Sequence, residues 1–418
     1  MIDIKHLVEN PNIYALELQK RYKDDTLAYK IKDEYESWKS KQKDLETLRQ
    51  KKNDFNTAIT KLSPIEKMRS IGEMKLVSEQ IRGLESEARE LKENFESLLV
   101  LIPNLTWERI PVGPNDDSNV ETGIFGSASN FDFDPLNYYD LPIFKRDYLS
   151  EKGVEASGFR GFYIRGELAR LQQVLFSWTL ERLINKDFEF IIPPIFVNEE
   201  VLTGTGFFPT GRDDVYDVKD SDKTRFLPGT SEAALMFLHA DETLDLSSPK
   251  KLTAWTRCFR KEAGAYGKDT KGGIRVTQFE KIETVYLCDP RDSIRLFEEM
   301  KEVFMETVDL LGLYYHTLEV STGDIPLKNH RQVDIEAWFP AQKAFREVCS
   351  ASNCTDYQTR TLGIKSNIDG NPVIAHSLNC TGMVNRVLFA MLEQFQEKNS
   401  KVKIPKVLQE KFGKEYLE

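Results

Sequence analysis

FRKEAGAYGKDTKGGIRVTQFEKIE, the stretch from Phe259 to Glu283, decides the fold. Side chains alternate along a strand, so a strand over FRKE would place Arg260 and Glu262 on one face. A loop with several glycines follows, and a returning strand would place Arg275 and Phe279 on one face. Two such strands offer guanidinium groups for phosphate oxygens, a ring that stacks on a base, and carboxylates for amino groups or a metal ion. A hairpin with surface ion pairs is the alternative, and the pattern alone leaves both open.

From about residue 161 the chain alternates helical and strand-like runs. Glu167–Lys186 and RVLFAMLEQFQ (386–396) are predicted helices. Predicted strands are FEFIIPPIFV (188–197), ended by Pro193 and Pro194, IRVTQFEKIETVYL (274–287) and VDIEAWF (333–339). Strand runs outnumber the helices that could cross between parallel strands. We therefore predict an α+β fold, with an antiparallel mixed sheet flanked by helices.

Residues 27–102 contain almost no Gly or Pro and predict two long helices, with a turn near Pro64 and Gly72. Apolar residues recur at heptad spacing in both helices. They are Ile31, Trp38, Leu45, Leu48, Phe55, Ile59 and Leu62 in the first helix, and Val77, Ile81, Leu84, Ala88, Leu91, Phe95 and Leu98 in the second. The two seams predict an N-terminal antiparallel coiled-coil arm of about 40 residues per helix, roughly 60 Å long at 1.5 Å per residue.

Charge is distributed unevenly in this acidic chain, which has 418 residues and a net charge of −10. The overall charge argues against a general nucleic-acid-binding surface. Between Lys39 and Arg69, however, nine basic residues face only four acidic ones. That excess is a candidate contact for a polyanion. A solvated helix face is the alternative, and charge alone favours it.

Several other classes of protein are not indicated. GxxxxGK[ST] and GxGxxG are missing. The five cysteines have neither CxxC pairs nor zinc-ligand spacing, so we expect free thiols in a reducing compartment and no zinc. No apolar run approaches the roughly 18–20 residues that span a membrane, and the first residues do not resemble a signal peptide. We therefore expect a cytoplasmic protein with no membrane partner.

Residues 259–283 resemble motif 2 of the class II aminoacyl-tRNA synthetases, and their whole length is similar to that of the seryl-tRNA synthetases. FEFIIPPIFV resembles motif 1, and LNCTGMVNRVLFAMLE resembles motif 3. TGTGFFP, LPGTSEAAL and REVCSASNCTDYQTR are similar to further active-site segments of the family. MIDIKHLVENP, the hairpin and LIPNLTWERIPVGPNDDSNV resemble its tRNA-binding arm and junction. The resemblance covers essentially the whole chain.

The resemblance implies an enzyme that activates serine with ATP and transfers it to tRNA. Arg260 corresponds to the residue that holds the α-phosphate, Arg386 to the one that holds the γ-phosphate, with Arg275 nearby; these three are the implied catalytic residues. Phe279 would stack on adenine. The implied ATP-binding set is Arg260, Lys261, Glu262, Val276, Phe279, Glu347, Val348, Cys349, Ser350 and Arg386.

Further residues follow from the same resemblance. Glu347 and Ser350 correspond to the pair that holds Mg²⁺, for which oxygen ligands are suited. The implied serine-binding residues are Thr230, Ser231, Glu232, Arg260, Glu283 and Thr381. Since the arm resembles a tRNA-binding arm, Lys43, Arg49, Lys51 and Lys52 of its basic stretch are the expected tRNA-binding residues. The chain departs from the family at two places: Asn379 to Arg386 is one residue shorter than usual, and Cys349 stands where serine is usual.

The resemblance also implies an organisation and an assembly. Residues 1–103 would form the tRNA-binding domain, 104–160 the linker and the start of the catalytic domain, and 161–418 the class II catalytic domain. A homodimer would form through motif 1. The expected partners are L-serine and tRNA(Ser), with tRNA(Sec) as a second candidate acceptor. Two alternatives are a related ligase that loads serine onto a carrier protein or small molecule, and a tRNA-binding homologue without catalysis.

Overall fold

A computed structural model describes residues 1–59, 63–220, 222–263, 271–368 and 370–418. The chain divides into two compact units. One is Ile2–Pro103, and the other is Asn104–Glu418 together with Met1. None of the helices in the described residues is long and apolar enough to cross a membrane.

Four helices form the first unit: α1 (Ile4–Glu9), α2 (Pro11–Lys20), α3 (Thr26–Ala58) and α4 (Pro64–Leu99). α4 begins at Pro64, one of the two residues near which the turn was predicted. Ser63 and Glu66 form a capping box there, in which each side chain bonds to the backbone of the other and satisfies free N–H groups of the first turn. Gly72 lies inside α4, so its predicted place in the turn is wrong.

The predicted coiled-coil arm is confirmed as an antiparallel pair of α3 and α4. Leu45 packs with Val77 and Ile81, and these three residues are buried between the helices. Farther along the pair, Phe95 contacts the rings of Tyr35 and Trp38. Leu99 rather than the predicted Leu98 is buried at the end of α4. The predicted seam residue Leu62 and the basic residue Lys61 lie outside the described residues.

An eight-stranded sheet dominates the second unit, in the order β1-β10-β11-β12-β15-β9-β8-β4. Every neighbouring pair is antiparallel except β4 and β8, which confirms the predicted antiparallel mixed sheet. Its strands are β1 (Val120–Phe125), β4 (Glu189–Phe190), β8 (Lys250–Phe259), β9 (Gln278–Cys288), β10 (Tyr315–Glu319), β11 (Arg331–Phe339), β12 (Ala344–Thr355) and β15 (His376–Val384).

Small sheets surround this large one. They comprise β2 (Tyr148–Leu149), β3 (Tyr163–Ile164), β5 (Tyr216–Lys219), β6 (Thr224–Leu227), β7 (Thr243–Leu244), β13 (Lys365–Ile368), β14 (Asn371–Ile374), β16 (Val402–Lys403) and β17 (Tyr416–Leu417). The helices of this unit are α5 (Pro142–Asp147), α6 (Ser150–Ser157), α7 (Gly166–Ile184), α8 (Glu199–Gly204), α9 (Glu232–Phe237), α10 (Ser293–Leu311), α11 (Tyr357–Thr361), α12 (Asn385–Gln394) and α13 (Lys406–Phe412). The predicted helices thus appear as α7 and α12.

The main core lies where α7, α10 and α12 pack on the large sheet. Alternate residues of β11 are buried, as the predicted strand pattern requires: Val333, Ile335, Ala337 and Phe339. Gly312 caps α10 after its last residue, Leu311, with a φ of 76°, a left-handed conformation that glycine adopts without a steric cost. This rigid sheet carries the segments that form the site described below.

Three strand predictions need correction. Only Glu189–Phe190 of FEFIIPPIFV forms a strand, because Pro193 and Pro194 cannot donate to a ladder. The strand predicted over FRKE ends at Phe259, and that predicted from Ile274 begins at Gln278. Glu262 has a φ of +55°, which a strand residue does not adopt. The strand alternation expected for Arg260 with Glu262, and for Arg275 with Phe279, is therefore wrong.

Candidate active site

A cavity opens where the end of β8 and the start of β9 meet β12 and the end of β15. Its lining combines arginines, carboxylates and an aromatic ring on a sheet that holds them in fixed positions. The lining residues are Arg260, Glu262, Gly273, Ile274, Val276, Phe279, Lys281, Glu347, Val348, Thr381, Val384, Asn385 and Arg386. Residues 264–270, the middle of the motif 2 loop, lie outside the described residues.

Arg260 stands just beyond the last residue of β8. Its backbone N–H donates to the Thr277 carbonyl at 3.0 Å, which ties the two arms of the hairpin together beyond the strands. Its guanidinium lies 5.5 Å from the centroid of the Phe279 ring. A Cβ at Gly229 would lie only 2.8 Å from Arg260 Nε, so glycine there makes room for this side chain. The phosphate-binding candidate is thus placed beside the ring expected to stack on a base.

Glu262 is buried between two arginines. Its Oε2 accepts from Arg275 Nη1 at 3.4 Å, and Arg160 Nη1 lies 3.9 Å away. Arg160 comes from the segment after α6, and no sequence pattern had selected it. Paired charges explain how a carboxylate is retained at a position where only 9% of its side chain is exposed. Arg275 itself lines a neighbouring cavity rather than the one around Arg260.

Arg386 and Glu347 form an ion pair across the cavity. Arg386 Nη1 donates to the Glu347 carbonyl at 2.9 Å and to its Oε2 at 3.1 Å. Although desolvation raises it, the pKa of Glu347 is lowered overall by the charges of Arg386 and Arg260. Glu347 is therefore ionised at neutral pH and available to a cation.

A second carboxyl group lies close to Glu347. Asp334 faces Ser350 across β11 and β12. Burial and the negative charge of Glu347 raise the pKa of Asp334 to about 8. Asp334 is therefore largely protonated at neutral pH, whereas the Glu347 carboxylate and the Ser350 hydroxyl are hard oxygen donors of the kind that Mg²⁺ prefers. No cluster of three or more His, Cys, Asp and Glu side chains suited to a metal occurs in the described parts of the chain.

A chain of buried polar contacts continues from the cavity. Lys281 Nζ donates to Thr230 Oγ1 at 2.8 Å and forms an ion pair with Glu283. The Thr230 hydroxyl donates to Glu283 Oε2 at 2.8 Å. Lys281 lines the cavity, as does the predicted serine-binding residue Thr381. The contacts of Lys281 therefore connect the predicted serine-binding residues Thr230 and Glu283 to the cavity.

Glu232, the other carboxylate predicted to bind serine, lies at the start of α9. Its Oε1 accepts from Gln358 Nε2 at 2.8 Å and from Asn379 Nδ2 at 3.1 Å, and it forms an ion pair with Lys328. Its backbone N–H donates to Thr230 Oγ1 at 3.1 Å. Two carboxylates and two lysines are thus paired in one buried region beside the cavity.

Comparison with known proteins assigns the family. A model of the seryl-tRNA synthetase N-terminal domain matches residues 1–106, and one of the tRNA synthetase class II core domain (G, H, P, S and T) matches residues 216–395. A serine–tRNA ligase of Mycobacterium sp. (strain KMS) is 33% identical over 420 residues, which cover 100% of both chains. The chain belongs to the seryl-tRNA synthetase family.

Two solved structures of the seryl-tRNA synthetase family are similar to this chain. One is the Pyrococcus horikoshii enzyme complexed with ATP, with a TM-score of 0.92 and 32% identity; the match covers 100% of this chain and 99% of that one. The other is the cytoplasmic serine–tRNA ligase of Naegleria fowleri in complex with AMP, with a TM-score of 0.87 and 28% identity over the same shares. The likeness therefore extends over both units of this chain.

The cavity contains most of the residues that the seryl-tRNA synthetase motifs selected for ATP. Those lining it are Arg260, Glu262, Val276, Phe279, Glu347, Val348 and Arg386. Lys261 lies outside it and pairs with Asp217 at 3.0 Å. Cys349 is buried, with its Sγ 2.8 Å from the Thr381 carbonyl oxygen. The Ser231 hydroxyl is buried without a hydrogen-bond partner among the described residues.

Four residues of the site escaped the sequence analysis of this synthetase: Arg160, Lys281, Lys328 and Gln358. Lys281 could have been found, because alternation along β9 places it on the same face as Phe279 and Glu283. Arg160 and Lys328 lie in segments that no motif covered. Gln358 lies in REVCSASNCTDYQTR, which the resemblance gave as an active-site segment without selecting this residue.

The predicted tRNA-binding residues all lie on α3 of the arm. Lys43 and Lys51 are exposed and Lys52 is half-buried. Arg49 is exposed but forms an ion pair with Glu85 of α4 at 2.8 Å. Lys41 makes a similar bond to Glu87, at 2.6 Å. The basic surface of α3 is therefore partly neutralised by its partner helix.

Proposed function

We propose that this protein is a serine–tRNA ligase, which forms seryl-adenylate from L-serine and ATP and then transfers the seryl group to the 3′ end of tRNA(Ser). The observation that carries this proposal is the cavity in which Arg260, Arg386 and Phe279 lie beside buried, paired carboxylates. Phosphate-binding arginines and a stacking ring suit ATP, and the carboxylates suit an amino acid.

In the first step, the serine carboxylate attacks the α-phosphorus of ATP, and pyrophosphate leaves. Arg260 would hold the α-phosphate, and Arg386 the γ-phosphate, with Arg275 nearby. Phe279 would stack on adenine, while Glu262 and the backbone near Val276 would meet its edge. No side-chain nucleophile is required, because positioning and neutralisation of phosphate charge lower the barrier.

Mg²⁺ fits this site through Glu347 and Ser350. Glu347 offers an ionised carboxylate, 46% of whose side chain is exposed, and Ser350 offers a hydroxyl on the same strand. Bound there with ATP, the ion would neutralise charge on the phosphates. Arg386 is paired with Glu347 in this structure, so binding of the ATP γ-phosphate would require the arginine to exchange this contact for a phosphate.

The serine pocket would comprise Thr230, Glu232, Glu283 and Thr381, with Arg260 near the serine carboxylate. Among the described residues, each buried carboxylate has bonds to one of its oxygens: Oε1 of Glu232 and Oε2 of Glu283. A pocket that pairs the substrate hydroxyl rejects alanine, because its own polar groups would then remain unpaired. Serine selection therefore follows from polar pairing rather than from size alone.

Amino-acid-dependent exchange of pyrophosphate into ATP tests the proposed function. With Mg²⁺ present, the purified protein should exchange with serine and only weakly with threonine, alanine or cysteine. An alanine mixture without serine is the control for background. Equal rates with serine and alanine would contradict the serine pocket, and no exchange with any amino acid would favour a tRNA-binding homologue without catalysis.

Transfer of the seryl group would depend on the arm, whose basic residues Lys43, Arg49, Lys51 and Lys52 would contact tRNA phosphates. The α3 helix has eight basic and six acidic residues, whereas α4 has six basic and eight acidic ones. We therefore propose α3 as the helix that contacts the polyanion.

We also propose a cytoplasmic location, supported by five buried free cysteines.

A homodimer is proposed on the basis of the apolar segment after β4. β4 is the edge strand of the large sheet, and the residues that follow it expose large apolar side chains. Ile192 is 83% exposed and Phe196 is 49% exposed. A contiguous exposed apolar segment at a sheet edge is typical of an interface, and a two-fold axis would pair it with its copy.

The double variant I192D/F196D is expected to be monomeric at micromolar concentration, whereas the wild-type protein should have twice the 48.2 kDa mass of one chain. Two carboxylates in an apolar interface would weaken association by several kcal/mol, about 10³-fold or more. Light scattering after gel filtration measures the mass. Ile294, exposed on α10, provides the control I294D, which should remain dimeric. A wild-type monomer would contradict the proposal.

A further inference from the structure

Lys328 is a buried lysine in the segment between β10 and β11. Only 9% of its side chain is exposed, and it lies beside the predicted serine pocket. Its Nζ forms an ion pair with Glu232 and lies 4.2 Å from the centroid of the Phe207 ring. The motifs assigned no role to this residue.

The contacts of Lys328 fix one oxygen of Glu232. Three donors converge on Oε1: Lys328 Nζ, Gln358 Nε2 and Asn379 Nδ2. No described residue donates to Oε2. The side chain of Glu232 is thus held by one oxygen, and the other is left for a ligand.

Lys328 also provides a positive charge that pairs with the buried Glu232 side chain. Burial has the largest single effect and lowers the pKa of Lys328, but the charge and hydrogen bond of Glu232, together with smaller contributions from Cys354 and Glu283, raise the pKa overall. A protonated lysine pairs with an ionised carboxylate, whereas an unpaired buried carboxylate would be strongly disfavoured.

We propose that Lys328 is a positioning residue for amino-acid binding, which holds Oε1 of Glu232 and directs its Oε2 to the amino or hydroxyl group of the substrate serine. This inference rests on the proposed function, because it concerns the same pocket. Lys328 contacts no reacting atom and acts through Glu232. Its removal should therefore affect the serine dependence of the reaction more than the ATP dependence.

The variant K328M is the first test, with KM for serine, KM for ATP and kcat measured by pyrophosphate exchange. We expect KM for serine to rise about 10- to 100-fold, the usual effect of losing a residue that orients a ligand-binding group. KM for ATP should stay within about 2-fold, as expected if binding of only one substrate is affected. K328R, which keeps the charge and the donors, should recover most of the loss.

A matched control separates positioning from loss of a buried ion pair in general. Lys251 pairs with Glu299 at 2.7 Å, away from the cavity, and 20% of its side chain is exposed. K251M should leave KM for serine unchanged, whatever it does to the melting temperature. A rise in KM for serine in K251M as large as in K328M would overturn the inference.

A second pair of variants keeps the test decisive if K328M does not fold. In E232Q/K328M neither charge is left unpaired, so the protein should fold. If Lys328 acts through Glu232, this double variant should have the same KM for serine as E232Q alone. A further rise in the double variant would overturn the inference.

The inference and the proposed function can fail separately. If wild-type protein shows no serine-dependent exchange, the proposed function is wrong and the inference falls with it. If wild-type exchange is normal and folded K328M keeps its KM for serine, only the inference is wrong.

Discussion

Replacing Arg260 by alanine is expected to slow serine-dependent pyrophosphate exchange by about 10²-fold or more. The guanidinium would stabilise charge on the α-phosphate as the serine carboxylate attacks, and loss of one preorganised donor of this kind costs about 10²–10³-fold in kcat. The position supports the role: Arg260 lines the cavity with Arg386 and lies against Phe279. Steady-state exchange rates at saturating serine and ATP measure the effect.

The control for this prediction is R295A. Arg295 is exposed on α10 and pairs with Asp292 at 3.1 Å and Glu299 at 3.5 Å, so its removal deletes a charge of the same kind outside the site. Exchange by R295A should equal that of the wild-type protein. Near-normal turnover in folded R260A would show that motif 2 has been placed on the wrong residues.

The quadruple variant K43A/R49A/K51A/K52A is expected to bind tRNA(Ser) about 10²- to 10³-fold more weakly, at about 1 kcal/mol per phosphate contact in water. The log–log salt dependence of binding should flatten by up to about four units if all four side chains meet phosphates. Arg49 must exchange Glu85 for a phosphate. Filter binding between low and moderate salt measures both quantities, and serine-dependent exchange should be unchanged.

The other helix of the arm supplies the matched control. K75A/R82A/R89A/K92A removes four basic residues from α4, which has more acidic than basic residues, and should lower the salt dependence much less. Equal losses in the two quadruple variants would mean that tRNA contacts are shared by both helices. If the α3 variant charges tRNA normally at moderate salt, the basic residues of α3 form only a solvated helix face and do not contact tRNA.

Much of this protein's fold was readable from the sequence. Heptad spacing predicted the paired helices that the structure shows as α3 and α4, with Leu45, Val77 and Ile81 between them. Alternation predicted β11, and the motif residues Arg260, Phe279 and Arg386 line one cavity. Such features are local, because each depends on the spacing of side chains along one helix, strand or motif.

Tertiary structure alone decided where β8 stops and which charges meet. β8 ends at Phe259, since Arg260 bonds to Thr277 outside the ladder and Glu262 adopts a positive φ. Lys328 reaches Glu232 across 96 residues of sequence, and Arg49 reaches Glu85 across 36. The residues next to Lys328, Glu232, Arg49 and Glu85 in the sequence show no pattern that would indicate these contacts. Buried and cross-helix charge pairs are set by packing of distant segments, and sequence periodicity carries no record of them.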